Sequence, residues 1–343
     1  MFRLPAVLLG AFVALSGFMG DAAAETAAEF YRGKVVKLVV GYGAGGGYDT
    51  YARLLAPHLE AQLGATVVVE NRPGGGGNLA LNRLMTAKAD GLTLMLINGR
   101  ASTVSQLVGT EGVRFDLTRL TVLGRVTSEP RVILFSAASP YRSLADAQGS
   151  DRVIKWGAAG RTDSLASVAA MASTALSLNS EIIMGYKGSK EAGLAAIRGE
   201  VDALVLSESS AAKYAKGGMV IPIAVFGRER SELLPELPTV FEVASLEDDA
   251  AWWADYTEQL TKIGRIFVST PDVPEDRTRF LRQAVQAVLE DPQIVRDMAS
   301  QKRPIRAETA EQVEQYISGS LAALDEASLA RVRSVVLEKY YPD

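Results

Sequence analysis

The chain has 343 residues, 48% of them hydrophobic and 22% charged, with a net charge of −4. Such a composition describes an ordinary globular protein long enough for two domains and excludes a disordered chain; the acidic balance offers no basic face to nucleic acid. There is no cysteine and a single histidine, His58, which excludes disulfides, thiolate metal sites, cysteine catalysis and histidine-rich zinc sites.

In chain order, Arg3 precedes an apolar run from Leu4 to Gly20, and the small residues Ala22-Ala23-Ala24 follow. That pattern predicts a secretory signal peptide over residues 1–24, cut after Ala24, and places the mature protein in the periplasm. Val35–Val40 reads as a continuous apolar strand. Five glycines then fall within the seven positions Gly41–Gly47, and Tyr51–Leu63 has helical spacing, with Leu54, Leu55, Leu59 and Leu63 on one face. Strand, glycine loop and helix together make an anion cradle. The glycines let backbone approach a ligand, and the first helical amides point at it along the helix dipole. The cradle nominates Tyr42, Gly43, Ala44, Gly45, Gly46, Gly47 and Tyr48 as ligand contacts. Asp49, next in line, either touches the ligand or caps and orients the loop.

Val67–Val69 is a second strand, ended by Asn71-Arg72-Pro73 and Gly74–Gly77, a glycine loop read as architectural. Leu79–Ala87 reads as a helix with Asn78 as its N-cap. Leu92–Ile97 is a third strand, followed by Asn98-Gly99-Arg100, where Arg100 is placed to grip a carboxylate with two nitrogens. A second set begins with Val132–Phe135. Val153–Trp156 runs into Gly157–Ser164, again strand, glycine loop and helix, which nominates Gly160, Arg161, Thr162 and Ser164. Ile182–Met184 leads into Tyr186-Lys187-Gly188, whose side chains are candidates for the cleft wall. Val201–Leu206, Ile221–Val225 and Ile266–Val268 are further strands, and helices occupy the C-terminal part. Alternating strands and helices of this kind predict parallel sheets covered on both faces, with two α/β domains facing each other across a cleft.

Gly41, Gly43 and Gly46 also fit G-x-G-x-x-G, and Glu70 closes the second strand where a ribose-binding acid sits in dinucleotide folds. The continuation through Gly47, the extra loop Asn71–Gly77 and the leader weigh against a nicotinamide site. No cofactor, metal or catalytic residue is expected.

The order of motifs resembles one family. Gly43–Asp49 is similar to the A-G-G-x-x-D loop of the substrate-binding proteins of tripartite tricarboxylate transporters, the Bug or TctC-like family. Val68–Asn78 resembles its V-V-E-N-R-P-G-A-G-G-N, Asp90–Leu94 its D-G-Y-T-L, Tyr186–Gly188 its Y-K-G, Gly199–Asp202 its G-x-V-D and Leu237–Thr239 its V-P-T. The chain departs from the pattern at Gly41-Tyr42, in the segment Ala254–Gly264 and in a longer C-terminal end. The resemblance implies an α/β, type II periplasmic binding protein fold, two α/β domains with a hinged ligand cleft that closes like a Venus flytrap. On that basis domain 1 is expected at residues 25–132 and 269–343, and domain 2 at 133–268. The implied function is capture of a small organic carboxylate (di-, tri- or aromatic) by a monomer that hands it to membrane transporter subunits. A ligand-sensing subunit for a sensor kinase is the first alternative, and a nucleotide-cofactor enzyme the last.

Overall fold

A computed structural model describes residues 25–342; the expected leader lies outside the described residues. The chain opens with α1 (Ala27–Tyr31), β1 (Val35–Val40), α2 (Gly47–Leu63), β2 (Thr66–Asn71), α3 (Asn78–Leu84), β3 (Thr93–Asn98), α4 (Gly99–Leu107) and β4 (Thr121–Thr127). It continues through β5 (Arg131–Ser136), α5 (Leu144–Gln148), β6 (Ile154–Gly157), α6 (Ser164–Ala175), β7 (Ser180–Ile183), α7 (Ser189–Ile197), β8 (Ala203–Ser207), α8 (Glu208–Ala215) and β9 (Val220–Val225). After α9 (Val240–Val243) and α10 (Asp248–Thr261) come β10 (Arg265–Ser269), α11 (Glu275–Glu290), α12 (Pro292–Ser300), α13 (Ala310–Ala322) and α14 (Glu326–Leu337).

The strands form two five-stranded sheets, β2-β1-β3-β10-β4 and β7-β6-β8-β5-β9. In the first, β1 runs parallel to β2 and β3 while β10 is antiparallel to β3 and β4. In the second, β6 is parallel to β7 and β8 while β5 is antiparallel to β8 and β9. The antiparallel member of each sheet is thus the strand that has just crossed from the other lobe.

Strand pleating explains the layers. Val36, Leu38 and Val40 of β1 join Leu55 and Leu59 of α2 in one apolar cluster, and Val39 points to the opposite face. That opposite-face cluster does not stop at the lobe boundary: it runs from Val39 and Met95 through Val104 and Trp253 to Ile133, Phe135 and Trp156. The two lobes therefore share a continuous core behind the cleft.

The lobes join at three places. Ser128-Glu129-Pro130 links β4 to β5, and Lys262-Ile263-Gly264 links α10 to β10. Gly264 has φ +70°, and a Cβ there would lie 2.2 Å from the Thr127 carbonyl oxygen, so the second link admits only glycine. The third is the turn between α13, which packs on β4, and α14, which packs on α6. The expected boundaries at 132/133 and 268/269 are corrected accordingly. Arg131 and Val132 pair within the second sheet, Arg265–Ser269 pair within the first, and α14 with its tail lies on the second lobe. The Ile182 amide donates to the Tyr340 carbonyl (2.7 Å), so the tail extends the exposed edge at β7.

Two local expectations also shift. The first long helix begins at Gly47, inside the glycine run, rather than at Tyr51. Asn78 is the first helical residue of α3, behind a Gly77 cap, and its side chain donates to the Ser105 hydroxyl (3.0 Å).

Candidate functional site

Between the lobes, a small cavity is lined by the leading residues of five helices. Gly46, Gly47 and Tyr48 come from α2, Asn98 from the cap of α4, Ser164 and Leu165 from α6, Ser189 from α7, and Ser207 and Ser210 from α8. Tyr42, Val205, Leu206, Arg131 and Arg265 complete the wall. Strands deliver their helices at their carboxyl ends in both sheets, so a cleft between the two sets of ends gathers helix N-termini of both lobes. Each contributes a partial positive charge and amides with no partner in their own helix.

The α2 end, like the α7 end, is capped by glycine. Its cap is Gly46, which has no side chain to accept from the first amides, and the Gly47 amide reaches only the Ser189 hydroxyl across the cleft, at 3.4 Å. At α6 the third amide, that of Ala166, donates to the Asp163 carboxylate. At α4 the Ala101 amide donates to Asn98.

Two guanidinium groups enter the same space. Arg265 is 5% exposed; it pairs with the buried Glu129 of the first lobe link, donates to the Ser207 hydroxyl (3.1 Å), and stacks over Tyr48 and Tyr51. Glu129 also accepts from the Ser209 amide (3.0 Å). Arg131 is 8% exposed, and its Nε has no hydrogen-bond partner. Burial holds it below the usual arginine range, while the Tyr48 and Tyr42 phenols and Asp163 act in the opposite direction. Tyr42 and Tyr48 stack at 4.9 Å, and burial pushes both phenols up.

The sequence candidates divide into three groups. Tyr42, Gly46, Gly47, Tyr48, Asn98 and Ser164 line the cavity. Asn98 Nδ2 donates to Tyr42 Oη (3.1 Å) and, across the cleft, to Ser164 Oγ (2.9 Å).

A second group forms the seam where the lobes touch. The Gly43 amide donates to the Lys187 carbonyl (2.7 Å), and a Cβ on Gly45 would lie 2.9 Å from Lys190. A Cβ on Gly160 would sit 2.6 Å from the Gly76 nitrogen, so the loop read as architectural, Gly74–Gly77, meets the second glycine loop backbone to backbone. Thr162 shares a 2.6 Å hydrogen bond with Ser105 of α4. Ala44 belongs to the same loop without lining the cavity.

The third group stands off the cavity wall; this corrects the expectation for Arg100, Arg161, Tyr186 and Lys187, and for Asp49 it selects the loop-orienting alternative. Asp49 is a brace: its carboxylate accepts from the Gly45 amide (2.7 Å) and Arg53 Nε (2.9 Å). Burial opposes its ionisation, but the Arg53 and Gly45 bonds outweigh it and hold the carboxyl below its usual range. Arg100 is fully buried behind the cavity, donating to Ser167 Oγ (2.8 Å); burial and the neighbouring Arg131 charge push it down to about 9. Arg161 faces away from the cleft, stacked on Tyr341 and bonded to the Leu337 carbonyl. The Lys187 side chain is exposed and pairs with Glu191 at 3.8 Å, and Tyr186 packs beside Gly157.

Arg131, Arg265, Ser189, Ser207 and Ser210 escaped the sequence reading. The available signal was a charge set flush against an apolar strand, Arg131 before Val132–Phe135 and Arg265 before Ile266–Val268, at the two places where the chain changes lobe. Asp163, also fully buried, caps α6. Burial pushes its carboxyl up to about 6, against the Ala166, Ala159 and Leu165 amides and the Arg100 charge. The cavity itself measures about 30 Å³, room for about one or two waters. The lobes are closed on it.

Two α/β lobes closed on an anion-seeking cleft define a solute-binding protein. Residues 51–326 match the family model described as "Tripartite tricarboxylate transporter family receptor", and the chain belongs to that family. It is 28% identical over 263 residues to Protein BugT of Bordetella pertussis, covering 74% of this chain and 77% of that one. An Agrobacterium vitis relative is 26% identical, covering 80% and 77%. Among solved structures, the periplasmic binding protein BugD superposes with TM-score 0.75 at 23% identity, covering 89% of this chain and 99% of that one. A Rhodopseudomonas palustris protein with adipate gives 0.73 at 21%, covering 88% and 97%; MatC of the same organism, with bound malate, gives 0.69 at 20%, covering 88% and 99%. The family is one of receptors rather than enzymes. Among the described residues no helix is long and apolar enough to cross a membrane.

Proposed function

We propose that this chain is a periplasmic receptor that captures a small organic carboxylate between its lobes and delivers it, as a monomer, to a tripartite tricarboxylate-type membrane transporter. The observation that carries this reading is the convergence of five helix N-termini and two buried arginines on one cleft. Each such terminus favours an anion by about 0.3–1 kcal/mol at an exposed site and by more when partly buried. Similarity to proteins solved with malate and adipate supports the same class of ligand. The lobe contacts support capture by closure: a ligand that bridges the α2 end and the α6–α8 ends adds interactions only when the lobes meet.

A thermal-shift screen of the protein against mono-, di- and tricarboxylates, aromatic acids, amino acids, NAD and ATP tests it. A ligand that binds only the native state raises the midpoint, by about 2.7 kcal/mol of stability at a hundredfold excess over Kd. A selective rise with one acid class is expected. A rise with nucleotide alone, or with no carboxylate, overturns the reading.

A further inference from the structure

The second glycine loop, residues 157–163, is held from two sides. On its inner side it meets the first lobe: Gly160 stands against Gly75 and Gly76, and the Thr162 hydroxyl shares its short bond with Ser105 of α4. On its outer side it rests on the residues that follow α14. Tyr341 Oη donates to the Arg161 carbonyl (2.8 Å), the Tyr341 ring lies 4.5 Å from the Arg161 guanidinium, and that guanidinium donates in turn to the Leu337 carbonyl. Burial, and then the charge of Asp163 at the cap of α6, push the Tyr341 phenol up, which sets the ring directly behind the loop.

The neighbouring Tyr340 is tied elsewhere. Its hydroxyl shares a 2.9 Å bond with Thr174 of α6, and its carbonyl accepts from the Ile182 amide, so it anchors the segment to the body of the lobe and leaves the loop alone. α14 itself is reached from α13, which packs on β4 of the first lobe. The third crossing between lobes therefore ends behind the loop that the first lobe must meet. A loop containing Gly157 and Gly160 has more conformations to lose than one without them, and a bond on its outer peptide selects among those conformations. We infer that Tyr341 is a positioning residue for lobe closure: it backs the second glycine loop so that Gly160 and Thr162 stand where the first lobe seats on them. The role is one of closure and is the same whichever ligand the cleft takes.

Amide hydrogen exchange of the protein without ligand tests this, using wild type, Tyr341→Phe and Tyr340→Phe. Residues 157–163 report the loop itself. The Gly43 amide, which donates to the Lys187 carbonyl of the other lobe, reports closure through a bond in which neither tyrosine takes part. Tyr341→Phe keeps the ring and removes one hydrogen bond. It should speed exchange about 2- to 10-fold, both in the loop and at Gly43. Tyr340→Phe removes one hydrogen bond from the same segment and should leave Gly43 unchanged. An unchanged Gly43 amide in Tyr341→Phe overturns the assignment. So does equal acceleration at Gly43 by both variants, which is what general loosening of the second lobe would give.

Discussion

At the residue scale, the glycines act chiefly through what they let the opposite lobe do. Gly160 is the clearest case. Its φ lies outside the left-handed region, so a side chain brings no backbone strain, yet its Cβ would press on Gly75 and Gly76 of the other lobe. Gly160→Val should therefore leave the isolated lobes intact and oppose their final approach. Overpacking of this kind costs about 1–3 kcal/mol, so ligand affinity should fall about 10- to 100-fold with little change in the unliganded melting temperature. Unchanged affinity would mean that the seam does not close on the ligand. The first loop's glycine richness was legible in the sequence because backbone permissiveness is written in composition. Its division of labour was not: Gly46 and Gly47 line the cavity while Gly43 and Gly45 meet Lys187 and Lys190, residues far away in the chain. The arginines show the converse. Arg100 and Arg161 follow strand ends, where a ligand was expected. Only the three-dimensional packing shows that α6 covers the first, that Tyr341 holds the second outside, and that the strand-leading Arg131 and Arg265 point inward.

At the element scale, β1, α2, β3 and β6 were readable from apolar runs and glycine punctuation, since a parallel strand buried on both faces has a distinctive composition. The boundaries between lobes were harder, because β5 and β10 are apolar strands like any other and nothing local says which sheet they enter. The short link Ser128-Glu129-Pro130 carries more than connectivity. Glu129 is buried, joined to Arg265 at the start of β10 and to the Ser209 amide at the start of α8, so one carboxylate ties the first link, the return strand and the second lobe together. Removing one partner of a buried pair is much worse than never having had the pair. Glu129→Gln should destabilise the protein by about 3–5 kcal/mol in urea unfolding. Saturating carboxylate should recover part of the loss, since it supplies negative charge beside Arg265. A stability change below 1 kcal/mol would show that the pair is solvated and of little weight.

At the scale of the molecule, the shared core limits what closure can be. The cluster running from Met95 through Trp253 to Trp156 would have to be torn for the lobes to swing widely, and α14 adds a third tie across them. Arg331 of α14 lies over Trp252 and Trp253 of α10, immediately before the segment Ala254–Gly264. Ligand entry should therefore need only a modest parting. Small-angle scattering should give a radius of gyration near the ~20 Å expected of one compact body of this length, almost the same with and without carboxylate. A fall of several ångströms on ligand addition would refute this picture. At two places the lobes meet through main chain alone: Gly43 on the Lys187 carbonyl, Gly160 on Gly75 and Gly76. A surface built that way is indifferent to which side chains floor the cavity. Descendants of this chain are free to exchange Arg131, Ser210 or Tyr48 and adopt a different cargo without relearning how to shut. Diversity of diet and constancy of mechanism are, in this architecture, inherited through separate sets of atoms.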